Sequence, residues 1–160
     1  MQLLCARISI ALVLKKDVDN DQAIGRSKGG LSTKIHATCD ALGNPTGFHL
    51  TAGQDHDLAG SDALMDRLTQ AEAVLADKAY DADERMRNKL CEKGCEVVIP
   101  YKKNRLNPQS YDQEVYKARH LIENFFARLK QYRGIATRYD KTAQNFLGAI
   151  YLAASIVWLN

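Results

Sequence analysis

At 160 residues, with 46% hydrophobic and 26% charged side chains, the chain has the length and balance of one soluble globular domain able to bury a core. Its longest apolar stretch, Leu3 to Leu14, is interrupted by Arg7 and Ser9 and is too short to cross a bilayer as a helix. Lys15 and Lys16 follow that stretch instead of preceding it, the wrong order for an export signal, so a cytoplasmic protein is expected. The four cysteines (Cys5, Cys39, Cys91, Cys95) are scattered, with only the last two close, as C-x3-C. A zinc site would need a second such pair or nearby histidines, so reduced thiols are expected.

No internal repeat or low-complexity segment is present. Residues 17 to 30, DVDNDQAIGRSKGG, are polar and glycine-rich and read as a flexible lead-in. LSTKIHATCD alternates, with β-branched residues, and predicts a strand; ALGNPTG supplies turn chemistry, and GFHLTAG reads as the partner strand of a hairpin. After GQDHD a helix is expected to begin between Leu58 and Ser61 and to run through Leu68. Asp55, His56 and Asp57 could form a metal cluster, but capping that helix is the more economical role. His36 and His49 lie on the hairpin strands and read as structural.

AEAVLADKAY predicts a short buried strand, Ala73 to Ala76, ending at Asp77. DADERMRNKLCEKG predicts a helix with Asp81 or Asp83 near its start and Gly94 as its stop. CEVVIPYKK is another apolar strand, closed by Pro100, and NRLNPQSYDQ is a polar loop. YKARHLIENFFARLK predicts the next helix, and a second apolar one, Ala143 to Leu159, finishes the chain. Strands linked through helices argue an α/β layered fold. Ligands of such sheets gather at the carboxyl ends of strands, where Asp77 lies.

Charge is unevenly distributed. Between Tyr101 and Lys141 ten basic residues stand against four acidic ones, interleaved with tyrosines. That suits a phosphate backbone, and it equally suits a solvated basic face. On a helix with about 100° per residue, Arg119 lies roughly 40° from Glu123, with Tyr116 and Lys130 about 20° to either side. Leu121, Ile122, Phe125 and Leu129 fall mostly opposite, the natural core side. Glu123 with Arg119 four residues before it is, taken alone, an ordinary helix ion pair. Carboxylates brought together from a strand end and a helix, as Asp77 and Glu123 could be, repel and require a cation; oxygen ligands with open positions suit Mg²⁺ or Mn²⁺.

LADKAYDAD, IGRSKGGLSTKIHATCDALGNP, LTAGQDHD and YKARHLIENFFARLKQYRGIATRYDK together resemble the DDE transposases of bacterial insertion sequences. The most specific segment is Tyr, two residues, Arg, three residues, Glu, six residues, Lys, met here by Tyr116, Arg119, Glu123 and Lys130. The resemblance implies an RNase H-like mixed sheet flanked by helices, and metal-dependent cleavage and transfer of DNA strands. It further implies Asp77 and Glu123 as the second and third metal-binding acids, two Mg²⁺ or Mn²⁺ ions, and action as a homo-oligomer on DNA ends and target. Tyr116, Arg119 and Lys130 become DNA-contacting or phosphate-positioning groups. Arg133, Arg26 and Lys28 are further candidate DNA contacts, although IGRSKGG lacks the spacing of a nucleotide-binding loop.

The family's first acid belongs to an opening strand in a motif like D-[SA]-T-x-V-[KR]-A-H. Here MQLLCARISIALVLKK stands in its place, and Asp17, Asp19 and Asp21 follow in a polar linker. The first central strand is therefore expected to be missing or replaced, with residues 1–20 an atypical segment and 21–160 a partial catalytic domain. Synonymous codons can be chosen for residues 1 to 16 so that the frame one nucleotide earlier reads DATIVRAHQHSAGAKK, which restores the acid. The expectation is a catalytic fragment inactive alone and completed by an upstream product. The alternatives are a DNA-binding fragment that regulates the full enzyme, and a degenerate remnant.

Overall fold

The computed structural model describes residues 22–68 and 71–159, together with the backbone of residues 2–11. Asp17, Asp19, Asp21 and the boundary drawn at residue 20 lie outside the described residues. Strands β1 (Gln2–Ala11), β2 (Gly25–Ser27), β3 (Gly30–Asp40) and β4 (Pro45–Ala52) precede helix α1 (Asp57–Met65) and strand β5 (Ala73–Leu75). A 3-10 turn at Lys78–Tyr80 and a π-helical turn at Asp83–Arg87 lead into α2 (Asn88–Glu92). Strand β6 (Glu96–Val98) and helices α3 (Gln113–Lys117), α4 (His120–Leu129), α5 (Arg133–Ala136) and α6 (Ala143–Leu159) complete the order.

The alternation read in LSTKIHATCD yields β3, antiparallel to β4 from Thr33 opposite Ala52 to Cys39 opposite Pro45. The turn between them is fixed by the Asp40 carboxylate, which accepts from the Leu42 and Asn44 amides, and by Gly43 at φ +88°, a backbone that disfavours a Cβ. On its other edge β3 pairs antiparallel with β1, from Gln2 opposite Asp40 to Ala11 opposite Ser32, with a register shift between Leu4 and Arg7. β1 also packs beside β5, which pairs in parallel with β6. Gln2–Ala11, whose Arg-Ile-Ser-Ile alternation suits a strand, thus lies between β3 and β5. The lead-in is also less loose than the sequence predicts, because Gly25–Ser27 folds back on Leu31 and Ser32 as β2.

Successive residues of β5 face opposite ways. Ala73 and Leu75 join Ile35, Ala37 and Phe48 of the hairpin under α4 and α6, through Ile122, Phe125, Phe126, Leu129, Phe146 and Ile150. Val74 and Ala76 enter a second layer with Leu58, Leu64 and Met65 of α1 and with Met86 and Leu90 beneath α2. An antiparallel sheet of β1 to β4 and a separate parallel pair, β5 and β6, with helices packed in both hydrophobic layers, make the fold mixed α/β.

Two local expectations need correction. α1 begins at Asp57 and stops at Met65, because Arg67 and Leu68 donate to carbonyls only three residues back. The helix from Tyr116 to Lys130 is two helices. Around Ala118 the amides of Ala118, Arg119 and Leu121 also bond three residues back, which tightens the turn and shifts the phase between Tyr116 and Glu123. Of the two acids offered for the next helical start, Asp83 opens the π-helical turn after Ala82, while Asp81 is engaged elsewhere. Among the described residues no helix is long and apolar enough to cross a membrane.

Candidate active site

The alternation along β5 carries one step past the strand. Asp77, extended at φ −66° and ψ 155°, emerges on the α4 side at the strand's carboxyl end. From α4, whose buried face is Ile122, Phe125, Phe126 and Leu129, Glu123 projects on the opposite, polar face. The two carboxylates converge on one guanidinium. Arg119 Nη2 donates to Glu123 Oε1 at 2.5 Å, and Arg119 Nη1 lies 3.9 Å from Asp77 Oδ2. Arg119 is held from behind by the Tyr116 ring, 5.6 Å from its guanidinium carbon, and Tyr116 rests edge-on against Tyr111. Burial pushes the Tyr116 phenol up; Arg119 pulls it back, and Asp77, Tyr111 and Glu123 add to the rise. Four of the sequence-predicted residues, Asp77, Tyr116, Arg119 and Glu123, therefore form one cluster.

The acids are open to solvent, with side-chain exposures of 44% for Asp77 and 51% for Glu123. Two carboxylates already gathered on a cation, with free oxygens and room beside them, fit a single Mg²⁺ or Mn²⁺, which takes one or two carboxylates and completes its shell with water or phosphate oxygens. Among the described residues no three His, Cys, Asp or Glu side chains are grouped to hold a metal, and the β1 sequence, QLLCARISIA, contains no acid.

The other predicted contacts are placed apart. Lys130 follows α4 and Arg133 opens α5, both exposed, and Arg26 and Lys28 are exposed on the β2 turn; among the described residues no hydrogen bond or ion pair joins any of them to the carboxylate cluster. Of the ten basic residues in the Tyr101–Lys141 segment, Arg138 is buried and cannot meet a ligand. It spans carbonyls of Gln22, Ala23 and Asp140 and stacks over Phe146 at 4.8 Å. Within GQDHD, His56 caps α1 through the Leu58 amide, Asp55 accepts from the Ala52 amide, and Asp57 pairs with buried Lys34 at 3.0 Å. Those acids are spent on structure. His36 is buried between Thr51 Oγ1 and Tyr80 Oη, and Cys39 and Cys95 are buried free thiols, the former pushed up to about 12 by burial and the nearby Asp40.

The sequence missed a second carboxylate node, centred on Asp81. Its carboxylate is buried and accepts from Arg87 Nε at 2.7 Å, from the Lys102 amide at 2.9 Å and from Arg105. Separations of six residues to Arg87 and more than twenty to Lys102 leave no periodic signal.

The transposase DDE domain family model matches residues 15–158. The chain belongs to that family. A putative transposase for insertion sequence element IS6501 from Brucella ovis is 36% identical over 129 residues, 81% of this chain and 99% of that protein. The domain is that of an insertion-sequence transposase, a family that acts on DNA and generally uses divalent metal. The family match begins at residue 15, after β1 (Gln2–Ala11).

Proposed function

We propose that this domain performs metal-dependent cleavage and transfer of DNA strands, with Asp77 and Glu123 as two of its metal-holding carboxylates, in an RNase H-like arrangement. The observation that carries the reading is the convergence of a strand-end acid and a helix acid, both half-exposed, on Arg119. A divalent ion held there would polarise the scissile phosphate, and with a second ion in the complete enzyme the attacking oxygen would be activated and the leaving one stabilised. Arg119, backed by Tyr116, then has anionic phosphate oxygens as its partners, a match for a planar guanidinium. Lys130, Arg133, Arg26 and Lys28 contribute charge along the DNA path. The chain alone is inactive for want of the first acid; with that acid restored by an upstream frame, two ions and self-association on paired DNA ends are expected.

Isothermal titration of the chain with Mn²⁺ is the direct test. One site should be seen, lost in Glu123→Gln and in Asp77→Asn; no binding to the unaltered chain, or binding indifferent to both substitutions, removes these acids from the metal site. A frame-corrected protein should then nick DNA in the presence of Mg²⁺.

A second reading rests on the acid-free β1: a DNA-binding fragment that competes with the complete transposase. It gives salt-sensitive DNA binding with no Mn²⁺ site.

A further inference from the structure

The geometry points to the loop after β6, residues 100–109, as a preformed DNA-phosphate contact surface whose position is set by Asp81. This rests on the DNA-binding reading above and extends it to residues outside the carboxylate cluster. Tyr101, Lys102, Lys103 and Leu106 are exposed, Leu106 almost completely at 96%. A polar loop that buries so little gains nothing from packing, and ordering it costs conformational entropy. Yet it is fastened at its base, Ile99, and at three points within it. Arg87 Nη2 donates to the Ile99 carbonyl at 2.7 Å, Asp81 takes the Lys102 amide at 2.9 Å, Arg105 bridges Asp81 and Asp83, and Arg87 Nη1 reaches Gln109 Oε1 at 3.5 Å.

Apart from the second arm of Arg105 on Asp83, these ties run to Asp81 or to Arg87 that Asp81 holds, and Asp81 follows Asp77 by four residues. Although burial pushes the Asp81 carboxyl up, the Lys102 amide, Arg87 and Arg105 hold it below the usual carboxylate range. The node is therefore an anion that two buried or half-buried arginines and a backbone amide saturate, and it has no capacity left for a ligand. Its effect is positional. Because β6 runs parallel to β5, the loop leaves the same end of the sheet as Asp77. Lys102 and Lys103 are thereby exposed at the end of the β5–β6 pair from which Asp77 emerges, with no carboxylate partner among the described residues. A double-stranded DNA lying across Asp77 and Glu123 would meet these two ammonium groups with phosphates flanking the one being cut. Preordering the loop removes an entropy cost from that encounter.

Fluorescence anisotropy of a labelled random-sequence duplex, titrated with the full chain over a range of KCl concentrations, tests this. The unaltered protein should bind with log K falling linearly against log salt. Lys102→Gln with Lys103→Gln should weaken binding and flatten the slope by about 1.8, two contacts at about 0.9 each. Asp81→Asn should flatten it in the same direction, and adding Asp81→Asn to the double lysine variant should change nothing further, since Asp81 acts only through the loop. If Asp81→Asn does not fold, Arg105→Met, which keeps the Asp81–Arg87 pair, carries the same expectation. An unchanged slope in the double lysine variant overturns the inference, as does an added loss of binding from Asp81→Asn or Arg105→Met in its background. Absence of salt-dependent binding by the unaltered protein overturns the DNA-binding reading itself.

Discussion

Two carboxylate clusters stand at the same end of the sheet, and they differ in how their charge is satisfied. Asp81 is 5% exposed and saturated by a backbone amide and two arginines. Asp77 and Glu123 are about half exposed and share one guanidinium, with Asp77 at 3.9 Å from it. A saturated, buried anion fixes backbone; an undersatisfied, accessible pair retains oxygens for a ligand. Both pair an aspartate within three residues of Lys78 with arginine from elsewhere in the chain, so residue type does not separate them. Accessibility and the number of donors do.

The widest separation between the clusters should appear in stability. Asp81→Ala strands Arg87, itself 2% exposed, as an unpaired buried cation, and should cost about 3–5 kcal/mol in chemical denaturation. Asp77→Asn or Glu123→Gln in a frame-corrected protein should instead reduce Mg²⁺-dependent DNA nicking by more than about 100-fold while leaving DNA binding in place. A nicking rate unmoved by either substitution would erase the functional half of the contrast.

Acid titration separates the clusters more gently. The Asp81 carboxyl is depressed in the folded protein, so its contribution to stability is present above the unfolded value, about 3.9, and is lost as pH falls through the lower folded value. Thermal melts between about pH 5 and pH 2 should fall more steeply in the unaltered protein than in Asp81→Asn. Equal slopes would mean that Asp81 is not held ionised. The smallest effect is expected from Glu123→Gln on thermal stability, within about 0.5 kcal/mol, because a half-exposed ion pair contributes little. A loss of several kcal/mol there would make Glu123 a structural residue like Asp81.

Much of the fold was legible because its signals are local. Alternation in LSTKIHATCD, turn chemistry in ALGNPTG and Gly94 after a helical run each depend on neighbours in sequence, and β3, the hairpin turn and the end of α2 followed. So was the polar face of α4, since Ile122, Phe125 and Leu129 repeat at helical spacing. The break at Ala118 left no trace, because no glycine or proline marks it and the i→i−3 bonds arise in the folded chain.

By itself the sequence determined the family signature around Glu123, the strand ending at Asp77 and the lack of an acid in Gln2–Ala11, all of which are statements about residue type and short spacing. Only the tertiary structure decided that Asp77 and Glu123, 46 positions apart in the sequence, meet on Arg119. It also decided that Arg138 is buried while Lys102 and Lys103 face solvent, and that Asp81 is tied to the loop after β6. Each of these depends on which chain segments the sheet and its two hydrophobic layers bring together, and a contact between distant segments has no period along the chain from which it could be read.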